Sequence, residues 1–170
     1  KSQMSINFLL LDGAFSDGQI GAIVGAGGTI NFTEDYGLTW EKASLLGDSD
    51  TRFNAIFFAG DKNIVAVGSK GRIFRSNGGG RLWRQIDSGT SANLNDVHFT
   101  NAANGWAVGD GGIIIRTRDG GKTWSDENSR MTHNLEKIVF TSTRGWAVGY
   151  GGTVLTYDAN FKNVEVVSKP

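Results

Sequence analysis

The sequence has no cysteine, only two histidines (His98 and His133), and one proline, at the last position. Without cysteine there is no disulfide framework, no thiolate metal site and no cysteine nucleophile. Two histidines leave little for a histidine-based metal centre, so no metal or cofactor is expected. Charge is balanced, with 17 basic and 17 acidic residues. A neutral chain lacks the electrostatic footprint of a nucleic-acid binder or a polybasic membrane-surface protein. No run approaches the ~20 apolar residues of a membrane-spanning helix. Phe8-Leu9-Leu10-Leu11 is also too short, and lacks the basic flank and cleavage site, to read as a signal peptide. A leader removed before Lys1 would imply secretion or the periplasm. A native start at Met4 would imply the cytoplasm.

Glycine is what the chain has in excess: 25 residues, about twice the usual ~7%. Aromatics make up 11% of the chain, which excludes low-complexity disorder. Glycine is therefore expected in turns between short strands. The turns recur. Val24-Gly-Ala-Gly-Gly, Val67-Gly-Ser-Lys-Gly, Val108-Gly-Asp-Gly-Gly and Val148-Gly-Tyr-Gly-Gly each open the same pattern, and the equivalent glycines Gly28, Gly71, Gly112 and Gly152 lie 43, 41 and 40 residues apart. A period of this length marks a repeat architecture.

Within the third unit, Leu94–Thr100 alternates apolar and polar residues. Gly105–Val108 is an apolar run, Ile113–Thr117 is β-branched, and Thr123 to about Asn128 is a more polar fourth strand. Four short strands per unit predict an all-β fold: a β-propeller of four-stranded antiparallel blades, four in this chain. The expected blades span approximately residues 4–47, 51–90, 92–130 and 133–168. The first blade would open on a strand at Ile6–Leu11 and the last would end on one at Val164–Val167. One blade cannot bury both its faces, so stability must come from stacking. Three arrangements satisfy the end blades: a four-bladed ring closed on itself, a part of a longer propeller, or a homodimer closing an eight-bladed ring by two-fold symmetry. An open stack would leave apolar sheet faces in water.

Thr117-Arg-Asp119-Gly-Gly121-Lys-Thr123-Trp124 matches the pattern Ser/Thr-x-Asp-x-Gly-x-Thr-Trp, the Asp-box or BNR repeat, as does Thr33 to Trp40 through Asp35 and Gly37. The second unit keeps Ser76, Gly80 and Trp83 but has Gly78 for the aspartate. The fourth keeps Asp158 and loses the tryptophan. These residues are expected to be structural: the aspartate accepts N–H groups of its own turn, the glycine takes positive φ, and the tryptophan covers the turn against the next sheet. The longer string from Gly105 to Trp124 resembles the photosystem II assembly/stability factor family and its relatives in non-photosynthetic bacteria. That resemblance implies a seven-bladed propeller and a non-enzymatic, protein-binding scaffold, since the photosynthetic members bind membrane-protein assembly intermediates. Four blades are not seven, and this departure bears on the photosynthetic role.

Sialidases carry Asp-boxes too, so a glycan-binding or sialidase-like module is the alternative. Their chemistry needs an arginine cluster, a Tyr–Glu nucleophile pair and an acid/base aspartate. The nearest string to their Arg-Ile-Pro motif is Arg72-Ile73-Phe74, and no catalytic residue is assigned. In a four-stranded blade the turn between strands two and three lies on the face of the inter-blade connections, and the Asp-box turn lies on the opposite face. Binding is expected on the first face, where residues differ from blade to blade. The candidates are Arg52, Lys70, Asp110, His133 and Tyr150, for a protein partner.

Overall fold

Each unit folds into its own sheet because short apolar runs alternate with turns that demand glycine. The structure, a computed structural model, describes residues 9–16, 18–157 and the backbone of 164–166. Blade 1 contains β1 (Leu10–Phe15), β2 (Gly21–Gly25), β3 (Ile30–Thr33) and β4 (Glu41–Lys42). A short strand, β5 (Ser44–Leu46), follows. Blade 2 contains β6 (Phe53–Phe58), β7 (Ile64–Gly68), β8 (Ile73–Ser76) and β9 (Leu82–Ile86). Blade 3 contains β10 (Leu94–Phe99), β11 (Gly105–Gly109), β12 (Ile114–Thr117) and β13 (Ser125–Asp126). Blade 4 contains β14 (Leu135–Phe140), β15 (Gly145–Gly149), β16 (Val154–Tyr157) and β17 (Val164–Val166). Each blade is an antiparallel meander in sequence order. The fold is an all-β, four-bladed propeller.

Three details depart from the sequence expectation. Blade 2 has five strands, because β5 pairs in parallel with β9, Leu45 opposite Trp83. Residues 44–46, assigned above to the first blade, thus strap it to the second. The first strand runs Leu10–Phe15, not Ile6–Leu11, and Ile6 to Phe8 lie outside the described residues. Its register follows the position where all four inner strands carry an irregularity: between Leu10 and Asp12, Phe53 and Ala55, Leu94 and Asp96, Leu135 and Lys137. The apolar run at 8–11 suggested an earlier strand, but only this register aligns Leu10 with Phe53, Leu94 and Leu135. The fourth strand of blade 3 shortens to Ser125–Asp126, its sequence being too polar to hold a longer outer edge.

Strand β7 shows how the core is built. Its five residues are all buried. Ile64 and Ala66 join Ala22, Val24 and Phe32 of blade 1, while Val65 and Val67 join Val97, Phe99 and Ala107 of blade 3. Burial on both faces explains why the strand reads as a continuous apolar run. A third core unites Trp106, Val108 and Ile114 of blade 3 with Leu135, Ile138, Phe140 and Leu155 of blade 4. Polar links cross the same seams. Asp12 accepts the Ile56 N–H at 2.9 Å, and Asp96, at the equivalent place, accepts the Ile138 N–H at 2.9 Å. The Asn54 and Asn95 amides donate to the Leu94 and Leu135 carbonyls at 2.8 and 3.0 Å. Among the described residues no core joins blade 4 to blade 1.

Candidate functional site

The turns between second and third strands lie against the connections between blades, as the expected geometry requires. Gly28 donates its N–H to the Thr51 carbonyl, and the carbonyl of Gly112 accepts the Ser129 hydroxyl. In blades 2 to 4 this turn is a single 3-10 turn: Ser69–Gly71, Asp110–Gly112 and Tyr150–Gly152.

Near the axis on this face the inner strands bound a concavity of about 440 Å³. Leu11, Asn54, Asn95 and Glu136 line it from one register position, one residue per blade. Arg52, Ser69, Asn93 and Lys137 complete the wall. The lining is polar but not uniformly charged. Beneath it Asp96 is 9% exposed. Burial pushes its carboxyl above the usual range, against the opposing pull of the Ile138 N–H and of Lys137, whose ammonium stands 3.5 Å away.

Of the five sequence-predicted residues, two converge on one amide. Asn93 accepts the Lys70 N–H through Oδ1 at 2.9 Å and donates Nδ2 to Asp110 at 2.8 Å. Asp110 also accepts from Asn95 at 3.0 Å. Arg52 lines the concavity, its Nε donating to Asn54 at 3.3 Å. His133 and Tyr150 stay apart from this group. His133 Nδ1 lies 3.3 Å from the Thr153 hydroxyl, and the Tyr150 side chain is exposed over the last turn, its N–H bound to the Asn134 carbonyl. Sequence reasoning missed Asn54, Asn93, Asn95 and Glu136, because it looked at turns and not at the second residue of each inner strand. The signal was the asparagine that recurs just before or after Leu94 and Phe53.

The opposite face carries the Thr-x-Asp-x-Gly-x-Thr turns. Thr117 Oγ1 accepts the N–H groups of Asp119 and Gly121 and donates to Asp119 Oδ1. Asp119 in turn accepts the N–H groups of Lys122 and Thr123 and the Thr123 hydroxyl. Thr33, Asp35, Gly37 and Thr39 make the same set in blade 1, apart from an equivalent of the Lys122 bond. Ser76 holds the blade 2 turn without an aspartate, accepting from Gly78 and Gly80. The indoles of Trp83 and Trp124 donate to Gly80 and Gly121 carbonyls at 2.8 and 3.3 Å. Trp40 packs edge-on against Phe15. Asp158 lies outside the described residues.

Burial alone would raise the Asp119 carboxyl, but the bonds from Thr123, Thr117 and Lys122 outweigh it and hold the group at about 2. A folded-state value below the ordinary 3.8 means that the carboxylate contributes stability above about pH 4, lost as pH falls toward 2. The urea midpoint of Asp119→Asn is therefore expected to lie below that of the wild type at neutral pH and to converge on it in acid. A gap that stays constant with pH would show that the charge plays no part.

Among the described residues no group of three or more histidine, aspartate or glutamate side chains is placed to hold a metal ion. Among the same residues no helix is long and apolar enough to cross a membrane. The model of the family described as photosynthesis system II assembly factor YCF48 matches residues 1–90 and 80–168. No curated protein matches the sequence significantly. Among solved structures, YCF48 bound to D1 peptide is 24% identical over 98% of this chain, with a TM-score of 0.63, and YCF48 from Cyanidioschyzon merolae is 20% identical over 99%, with a TM-score of 0.76. The chain spans 70% of the first and 59% of the second. The Niastella koreensis GH74 enzyme shares the fold at 14% identity, over 94% of this chain and 30% of its own, with a TM-score of 0.73.

Proposed function

The chain belongs to the photosynthesis system II assembly factor YCF48 family, and on that premise we propose that it is a non-enzymatic scaffold that binds an extended segment of a partner protein in the axial concavity. The observation that carries this reading is the lining: one side chain from the same register position of each blade, two of the four being amides, so that a ligand is read by all four blades at once. Carboxamides offer donors and acceptors suited to a peptide main chain. Arg52 and Lys137 on one hand and Glu136 on the other supply charges that select among side chains or termini. Arg52, Lys70 and Asp110 belong to this site, with Asn93 as the amide that joins the last two. His133 and Tyr150 extend it toward blade 4. A solved YCF48 bound to a D1 peptide supports a peptide as the class of ligand.

The likeness to a GH74 enzyme extends to the fold alone. A glycan-binding role is the reading to be tested against. Peptides selected from a displayed library of random extended sequences are expected to bind the wild-type chain and to lose at least about tenfold in affinity to Ser69→Trp, which fills the concavity. Selected peptides indifferent to Ser69→Trp, or binding to a glycan array with none to peptides, would defeat the proposal.

A further inference from the structure

The turn of blade 2 departs from the motif, reading Ser76-Asn77-Gly78-Gly79-Gly80-Arg81-Leu82-Trp83. Gly78 stands where blades 1 and 3 carry Asp35 and Asp119, so no carboxylate ties down the backbone of this turn. Asn77 and Gly78 are both exposed. Among the described residues the Asn77 carboxamide has no hydrogen-bond partner. The Gly78 N–H reaches only the Ser76 hydroxyl, at 3.5 Å, which is beyond the usual length of such a bond. A Cβ on Gly78 would meet nothing within 4 Å. A free asparagine side chain is thus followed by a backbone nitrogen that is neither crowded nor held.

We propose that Asn77 is a self-modification site: it deamidates, and the resulting carboxylate supplies between the turns of blades 2 and 3 the ion pair that blades 1 and 2 already have. The Gly78 nitrogen gives up its proton to base and bonds to Asn77 Cγ. The side-chain nitrogen leaves as ammonia, and a cyclic imide closes. Water then opens the imide at either of its carbonyls. One opening gives aspartate. The other gives isoaspartate, with the main chain routed through the former side chain. Each event consumes one water and releases one ammonia, with no oxidant or reductant, and both products carry a negative charge that the amide lacked.

The other asparagine–glycine pair in the chain, Asn104-Gly105, is a built-in control. The Asn104 N–H and Nδ2 both donate to Asn101, at 2.9 and 3.1 Å, and Asn104 Oδ1 accepts from Arg116 at 3.4 Å. Gly105 is buried in β11, paired with Phe99 on one side and Thr117 on the other. The same two residues are therefore held in blade 3 and free in blade 2.

Blade 1 shows what the new charge does. Glu34 stands in the position of Asn77, and its carboxylate accepts Arg81 Nε at 3.0 Å across the seam to blade 2. This bond holds the Glu34 carboxyl below its ordinary value. Arg81 directly follows the motif glycine Gly80, and the residue that follows Gly121 in blade 3 is Lys122. Lys122 is exposed, and its ammonium makes no ion pair among the described residues. The end of β8 already touches that turn, since Arg75 Nε donates to the Gly120 carbonyl at 2.8 Å. A carboxylate at position 77 therefore repeats the Glu34–Arg81 relation one blade further on, with Lys122 as its partner.

The whole chain, kept in warm, mildly alkaline buffer, is mapped by peptide mass spectrometry and labelled with an isoaspartate-specific methyltransferase. Aspartate and isoaspartate are expected to accumulate at Asn77, faster as pH rises, while Asn104 in the same sample stays intact. Gly78→Ala adds a methyl that meets no neighbour, so it is expected to fold as the wild type does and to slow conversion many-fold by crowding the attacking nitrogen. Asn77→Asp reproduces one product. In a double-mutant cycle of urea midpoints with Lys122→Ala, it is expected to show favourable coupling in low salt that vanishes in high salt. Conversion at Asn77 no faster than at Asn104, Gly78→Ala converting as fast as the wild type, or no coupling between Asp at position 77 and Lys122 in low salt would each overturn the proposal.

Discussion

Trp83→Ala is expected to cost about 3–5 kcal/mol of stability, the usual range for emptying a core tryptophan site. The indole is fully buried among Phe32, Ile64, Phe74 and Ala43, in the core that joins blades 1 and 2. Its N–H closes the turn on the Gly80 carbonyl. The truncation therefore removes packing from two blades and leaves that buried carbonyl without its donor. The same residue type in the same motif is worth less elsewhere. Trp124 is only partly buried against the second core, and about 2 kcal/mol is expected there. Trp40 joins none of the three cores among the described residues and packs edge-on against Phe15, so about 1 kcal/mol is expected. Urea unfolding followed by far-ultraviolet circular dichroism would give the ranking 83, 124, 40. Equal losses at all three positions would mean that the tryptophan supports its own turn and not the seam between blades.

That ranking marks how far the sequence could be read. The period of the Val-Gly-x-Gly-Gly turns made the four blades legible, because each turn imposes the same backbone demand wherever it recurs. The alternation along Leu94–Thr100 and the apolar run at Gly105–Val108 were legible from local pattern as well. What could not be read was whatever depends on neighbours distant in sequence. Trp40, Trp83 and Trp124 stand in one motif, yet Trp83 is fully buried while Trp40 and Trp124 are only partly so. The parallel pairing of Ser44–Leu46 with β9 joins segments whose sequences give no sign of each other. The axial concavity has four walls, each contributed by one residue about forty positions from the next, and no local motif announces it. Asn93 was invisible as an organising residue because its importance lies in touching Lys70 and Asp110, one in each flanking turn.

Two neighbouring glycines separate the kinds of constraint that made the repeat visible. Gly111 and Gly112 both have left-handed backbone, with φ of 66° and 75°. A Cβ on Gly111 would meet nothing within 4 Å, whereas one on Gly112 would press into the Met131 backbone, 2.5 Å from its carbonyl oxygen. Blade 2 supplies a natural control: Lys70 stands where blade 3 has Gly111, with φ of 59°, and its side chain is exposed. Gly111→Ala should therefore cost about 1 kcal/mol, the ordinary cost of an L residue in that conformation. Gly112→Ala carries the same strain and must also push the connection between blades 3 and 4 outward, adding about 1–3 kcal/mol of overpacking. The connection it displaces includes Ser129, whose hydroxyl donates to the Gly112 carbonyl, so the loss should spread to the seam with blade 4. Amide hydrogen exchange is expected to accelerate in β14 and β15 for Gly112→Ala and to remain unchanged there for Gly111→Ala. If both variants lost about 1 kcal/mol, positive φ alone would explain the recurring glycine. The fit between each turn and the chain leaving its blade would then contribute nothing.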